Sequence, residues 1–271
     1  MCELFAMSAR YPATVNFSLQ EFSRHGGLSA HHRHGWGIAY LQERDAWVIK
    51  EPGPASSSDL VRYIEARRLG STTVISHVRH ASSAVAFENT HPFSRELAGR
   101  RHVFAHNGDV PDVFESRALR LGRFRPMGDT DSEHAFCALL ARQEDLWLGS
   151  SGVPKLEERL AIVDGFAREL RRLGTANFLY WDGDVLFAHG HKRRSPGVPE
   201  ARPPGLAMLS RTCAIEAAPL SEGSAEEIPA SREQRVLLAA SVPLTDEKWE
   251  ALIEGELIAV SGGAIVARVA P

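Results

Sequence analysis

The order in which hydrophobic periodicities follow one another constrains this chain most. Residues 1–110 carry short β-branched or alternating runs, residues 128–173 carry two stretches with apolar residues at helical spacing, and residues 175–269 return to short strand-like runs. A doubly wound sheet would alternate strand and helix throughout. Strand blocks on either side of a helical block instead predict an α+β chain, with two sheets set between helical layers. The hairpin signals Asp182-Gly183-Asp184 and Gly262-Gly263 argue for antiparallel pairing in the last block.

In the first block, residues 2–9 predict a buried strand, 36–40 and 46–52 a pair joined across Glu43-Arg44-Asp45, and 72–80 a strand that delivers His77, Arg79 and His80 near its end. Asn16 or Ser18 is expected to cap a short helix closed by Gly26-Gly27. The cluster Ser56–Asp59 caps another, with Leu60, Ile64 and Leu69 as its stripe and Gly70 as its end. The glycines flanking Trp36 predict a close approach of backbone to something bulky. A loop is expected from Ala81 to Phe93, then a strand at 101–110 that stops at a sharp Asn107-Gly108 turn. Helices are expected at 128–143, with Thr130 or Asp131 at the start, and at 155–173, stacked as neighbours on one sheet face. Segments 193–205 and 217–233 read as loops. No repeat or linker divides the chain, so residues 1–271 are expected to form one domain with a full core.

Hydrophobic residues at 44% and charged residues at 24% fit neither a disordered chain nor a membrane protein, and a net charge of -3 gives no electrostatic case for nucleic acid or an anionic membrane. Three widely spaced cysteines, Cys2, Cys137 and Cys213, fit a reducing compartment. The N-terminus lacks the basic-then-apolar order of a leader, and no stretch approaches the ~18 apolar residues of a membrane span. A soluble cytoplasmic protein is expected. His31, His32 and His34, with His77 and His80, match no zinc spacing, and no Cys-x-x-Cys occurs. Neither metal nor cofactor is expected.

Chemistry centres on Cys2. Removal of Met1 would leave a thiol and a free α-amine on one residue; an amine of pKa about 7.7–8.0 can accept a thiol proton without a histidine. Arg79, Asn107-Gly108 and Asp131 are the other groups expected at element ends near a common cleft. For a substrate bearing an α-carboxylate, an α-ammonium and a distal amide, Arg79 offers a fork for the carboxylate and Asp131 an anion for the ammonium. The Asn107 side-chain amide and the Gly108 N–H offer two donors to the oxyanion that forms when sulfur attacks the amide carbon.

The segments MCELFAMSA at 1–9, GWGIAY at 35–40, HVRHAS at 77–82, ENTHPF at 88–93, HNGDV at 106–110 and GDTDSE at 128–133 resemble the motif series of class II glutamine amidotransferases, in particular the bacterial stand-alone type. The second half is similar more weakly, through YWDGDVLFAHGHKR and LLAASVPLTDEKW. The resemblance implies the N-terminal nucleophile (Ntn) hydrolase fold, a four-layer αββα sandwich. It implies Cys2 as nucleophile, Arg79 on the substrate carboxylate, Asn107 and Gly108 as oxyanion hole, and Asp131 on the substrate amine. It also places His80 and Ser82 in the substrate pocket, where relatives often carry tryptophan and threonine, and puts His34 where many relatives have an acid.

The function expected is cysteine-dependent hydrolysis of the side-chain amide of glutamine or a related γ-glutamyl compound, releasing ammonia or an amine. An ammonia-accepting synthase is the partner such chemistry would serve. Hydrolysis of a γ-glutamyl peptide or thiol conjugate is one alternative. A non-catalytic module that binds γ-glutamyl metabolites is another, against which the joint presence of thiol and oxyanion donors argues.

Overall fold

A computed structural model describes residues 2–81, 84–195, 197–215 and 233–271. The elements are β1 (Glu3–Thr14), α1 (Asn16–His25), β2 (Trp36–Gln42), β3 (Asp45–Glu51), α2 (Asp59–Arg67), β4 (Gly70–Val78), β5 (Phe93–Leu97) and β6 (Arg100–Asp109). They continue as α3 (Asp131–Gly149), α4 (Leu156–Leu173), β7 (Thr175–Trp181), β8 (Leu186–His189), β9 (Ala207–Ala214), β10 (Glu233–Ala240), β11 (Glu250–Ala251), β12 (Leu257–Ser261) and β13 (Ala264–Val269). One sheet runs β11-β9-β10-β1-β4-β2-β3, the other β13-β12-β8-β7-β6-β5. Every neighbouring pair is antiparallel.

The period-2 alternation of strand side chains makes the layers. On β1, Phe5, Met7 and Ala9 pack with Phe22 of α1 and with Val61 and Ile64 of α2. The intervening Leu4 and Ala6 face the other sheet and meet Val103, Ala105, Leu179 and Ile258. On β6 the alternate residue Phe104 turns to α3 and α4, where it joins Phe136, Leu139, Val163 and Phe166. Three apolar layers between four structural ones give helix, sheet, sheet, helix, and the two long helices share one sheet face as their spacing predicts.

Several boundaries differ from the sequence reading, each for a physical reason. Asn107 and Gly108 lie inside β6, paired with Asn177 and Ala176, and make no turn. A Cβ on Gly108 would sit 1.8 Å from the Thr175 carbonyl oxygen, so this glycine permits close approach of β7 and serves no chain reversal. Gly37 plays the role predicted beside Trp36: a Cβ there would lie 2.2 Å from the His91 carbonyl oxygen. Helix α2 is capped by Ser58, whose hydroxyl accepts the Val61 N–H at 3.2 Å. It ends at a left-handed Arg68, and Gly70 opens β4. Its buried stripe is Val61 and Ile64, three apart on one face, while Leu60 turns 40% exposed. Helix α1 begins at Asn16 after Val15, which puts Ser18 inside its first turn. The edge strand β5 shares only Phe93 with the expected 81–93 loop and otherwise follows it; its FSREL sequence alternates too weakly to announce it. Of the expected 217–233 loop, residues 217–232 lie outside the described residues, and Glu233 already belongs to β10.

Candidate active site

Pairing of β1 with β4, which sets Glu3 opposite Val78, delivers Cys2 to the segment that follows β4. The Cys2 Sγ lies between the two backbone groups of His80: the His80 N–H donates to it at 3.3 Å, and the thiol is 3.5 Å from the His80 carbonyl oxygen. Burial pushes the thiol pKa up, with Asp131 adding to the rise; the His80 N–H and the Arg79 charge pull it down but do not cancel it. Burial therefore favours the thiol form near neutral pH, and a nucleophilic role would call for a proton acceptor.

Arg79 is 3% exposed. Its guanidinium donates to the carbonyls of Ala84 at 3.1 Å and His34 at 3.4 Å, while its own N–H donates to Gly35 at 2.7 Å. Asn107 is buried on β6 and donates Nδ2 to Ser241 Oγ at 3.2 Å. An amide nitrogen carries two hydrogens, so the bond to Ser241 leaves one to aim elsewhere. Asp131 is the first residue of α3, after a Thr130 cap whose hydroxyl accepts the Glu133 N–H at 3.1 Å. Its carboxylate accepts the Val110 N–H at 2.8 Å and the Ser132 N–H at 2.7 Å. Arg79 and Asp131 act on the Cys2 sulfur with opposite electrostatic sign.

Cys2, His80 and Gly108 open into one cleft of about 940 Å³, whose wall also holds Glu3, His31, Asp109, Thr175, Arg193 and Arg194. Arg79, Asn107 and Asp131 are not part of that wall. Ser82 lies outside the described residues, as does Met1. His77 points away from the cleft: it is fully buried and stacked on His91 with ring centroids 4.1 Å apart, and burial drives both imidazoles well below their ordinary pKa. The His77 ring comes close to the His106 backbone without completing a well-formed hydrogen bond. The His31–His34 stretch braces the wall. The His80 imidazole Nδ1 donates to the His31 carbonyl at 3.0 Å, and His34 Nδ1 accepts the Ala81 N–H at 3.0 Å, which requires a neutral His34 ring. Burial and the nearby His80 and Arg79 lower the His34 pKa in keeping with that role.

A family model described as glutamine amidotransferases class-II matches residues 1–271. The chain belongs to that family. It is 33% identical over 265 residues to the Escherichia coli K12 protein named "Putative glutamine amidotransferase YafJ", covering 94% of this chain and 96% of that one. A Pseudomonas aeruginosa crystal structure described as that of a "predicted glutamine amidotransferase" is 31% identical with a TM-score of 0.67, covering 98% of this chain and all of the other. Glutamine phosphoribosylpyrophosphate amidotransferase of Bacillus subtilis shares the fold at 15% identity and a TM-score of 0.61, over 99% of this chain and 49% of that one.

Within this member of the class II glutamine amidotransferase family, the residues that sequence reading missed are those that fasten the site. Ser241, just past β10, accepts the Leu4 N–H at 3.0 Å as well as the Asn107 amide, and its carbonyl accepts Arg193 Nη1 at 2.7 Å. Asn177 on β7 donates to the Asn107 carbonyl at 2.8 Å and to the Lys192 carbonyl at 2.7 Å. Glu3 accepts His25 Nδ1 at 2.7 Å and thereby ties α1 to the strand that carries Cys2. Serine after a strand and asparagine inside one carry no local signal of such work. No group of three or more His, Cys, Asp or Glu side chains able to hold a metal occurs among the described residues, and none of their helices is long and apolar enough to cross a membrane.

Proposed function

We propose that this class II amidotransferase chain is an N-terminal cysteine amidohydrolase acting on glutamine or a related γ-glutamyl amide, and that residues 1–271 form one cytoplasmic domain of that type. The observation that carries the reading is the meeting of the Cys2 thiol and Gly108 in one cleft, with Arg79 and Asp131 acting on the sulfur as opposed charges. After loss of Met1, the α-amine of Cys2 takes the thiol proton and sulfur attacks the amide carbon. The Gly108 N–H and the second hydrogen of Asn107 Nδ2 receive the oxyanion. Arg79 holds the substrate carboxylate, Asp131 its ammonium, and His80 and Ser82 shape the pocket around them. The C–N bond then breaks, the leaving amine takes the proton from the α-ammonium, and water hydrolyses the thioester to glutamate. Loss of a single oxyanion donor costs about 10²–10³ in rate in such chemistry.

The test is ammonia release from glutamine by purified protein and by Cys2→Ala. The expected result is turnover by the parent and none by the variant, with an intact mass lacking one methionine. Equal rates in the two proteins, or full activity with Met1 retained, would overturn the reading. Ammonia delivery to a synthase partner needs a second chain and is tested separately by co-purification.

A further inference from the structure

We infer that the chain carries a phosphate-binding pocket remote from Cys2, at the edge of the layer between the two sheets, with Arg235 and Lys248 as the cations that hold the ligand. Strand alternation points to it first. On β10, Leu237 and Ala239 face the other sheet, and on β12 Ile258 and Val260 do the same. The same period puts Arg235 on the inner face of one sheet, and pairing opposite Ile258 puts Arg268 on the inner face of the other. Ser210 shares that face, opposite Leu237. Polar side chains thus stand where a closed core would be apolar. Between them lies a groove of about 370 Å³, lined also by Ile265, Lys248 and Glu250.

The frame of the groove is fixed without a ligand. The turn between β12 and β13 sits so close on β10 that a Cβ on Gly263 would lie 2.2 Å from the Arg235 carbonyl oxygen, and the Gly263 N–H donates to Ser8 Oγ at 3.2 Å. Lys248 belongs to a turn held by its own network. There the Glu247 carboxylate accepts from Arg211 at 3.1 Å and from the Thr245 hydroxyl at 2.8 Å, and the Trp249 indole N–H donates to Thr245 Oγ1 at 3.1 Å.

The charges in this groove do not cancel. Arg268 is answered by Glu256 at 3.1 Å, from outside the lining residues. Arg235 and Lys248 are exposed, and their side chains have no hydrogen-bond or ion-pair partner among the described residues. Glu250 is the one acid among the lining residues, so a positive charge is left over. The cations come from three separate segments, β10, β13 and the turn before β11. That arrangement suits a tetrahedral anion, whose oxygens point in several directions, better than a flat carboxylate served by one fork. The volume lies near the lower end of the ~300–1,000 Å³ usual for ligand pockets and suits a small molecule. At ~3.4 Å per residue, Arg235 is about 20 Å along the chain from Ser241, which separates this pocket from the cleft.

Calorimetric titration of the full chain with inorganic phosphate, glycerol 3-phosphate and acetate, all at one ionic strength, tests the inference. The expected result is saturable phosphate binding, tighter than that of acetate, weakened at least about tenfold by Arg235→Gln and lost when Lys248→Gln is added. Glu250→Gln should bind more tightly, because it removes the opposing charge, and Cys2→Ala should bind as the parent does. The side chains at 235, 248 and 250 are exposed, so these variants should keep the parent's thermal melt. Tighter binding of the ester than of inorganic phosphate would identify a phosphorylated metabolite as the ligand, and equal binding the free ion; both support the pocket. Absence of saturable phosphate binding, tighter binding of acetate, or binding unchanged in the double variant would overturn the inference. So would weaker binding by Glu250→Gln, or loss of binding in Cys2→Ala, which would put the phosphate in the cleft.

Discussion

Ser241 joins three parts of the chain that its sequence position would never bring together. Its hydroxyl accepts from Leu4, 237 residues away, and from Asn107, 134 residues away. Ser241→Ala would leave two buried donors unpaired, at about 1–3 kcal/mol, and free the Asn107 amide to turn away from an oxyanion. We expect kcat for glutamine to fall about tenfold with KM little changed, and Ser241→Thr to restore most of it. Steady-state kinetics beside a thermal melt check this; a stability loss with kcat intact would mean that Ser241 only packs. Cys2 itself makes a pH prediction. Because burial raises the thiol pKa, activation waits on a free amine, so kcat/KM should climb with pH through the α-amine range of about 7.7–8.0. A flat profile across that range would remove the amine as base. These scales of contact explain what could be read in advance. Cys2, Arg79 and Asp131 carry chemistry in their own side chains and stood out, whereas Ser241, Asn177 and Arg193 matter only through partners that folding supplies.

Among the elements, long periodic segments were legible and junctions were not. Helices α3 and α4 and the hairpins of the last block follow from spacing and turn residues, but β6 runs through an Asn-Gly pair because Thr175 crowds Gly108, which no local rule reveals. The joint between α1 and β1 also depends on a distant pair, Glu3 and His25. The hydrogen bond to Glu3 is the main cause that raises the His25 pKa, outweighing burial. Burial alone would raise Glu3; the His25 hydrogen bond and the charges of His32, His25 and Arg193 carry it down. A raised histidine gives stability present below its unfolded pKa and lost as pH climbs through its folded one, and a lowered carboxylate gives stability present above its unfolded pKa and lost as pH falls. The pair therefore stabilises most between the ordinary values of 4.5 and 6.5. His25→Ala should cost about 3 kcal/mol near pH 5.5 and clearly less at about pH 9, measured by urea unfolding at each pH. An equal cost at both would show that the pair contributes through packing alone.

At the scale of the molecule, the apolar layer between the two sheets decides how the halves behave. Leu4, Ile75, Leu179 and Ile258 are fully buried there, so neither sheet can leave without exposing the other. Leu179→Ala should cost about 2–5 kcal/mol and shift the denaturation midpoints seen by circular dichroism and by tryptophan fluorescence together. Midpoints that separate would mean that the two sheets unfold independently and that the one-domain reading is wrong.

The place of β1 in its sheet has a consequence for synthesis. It pairs with β4 on one side and with β10, Glu233–Ala240, on the other. A polypeptide still lacking β10 has the strand that follows Cys2 bordered on one side only, with no Ser241 to hold Asn107. Assembly of the cleft therefore waits on residues far along the chain, and a chain cut before Glu233 should leave the Asn107 amide without its anchor.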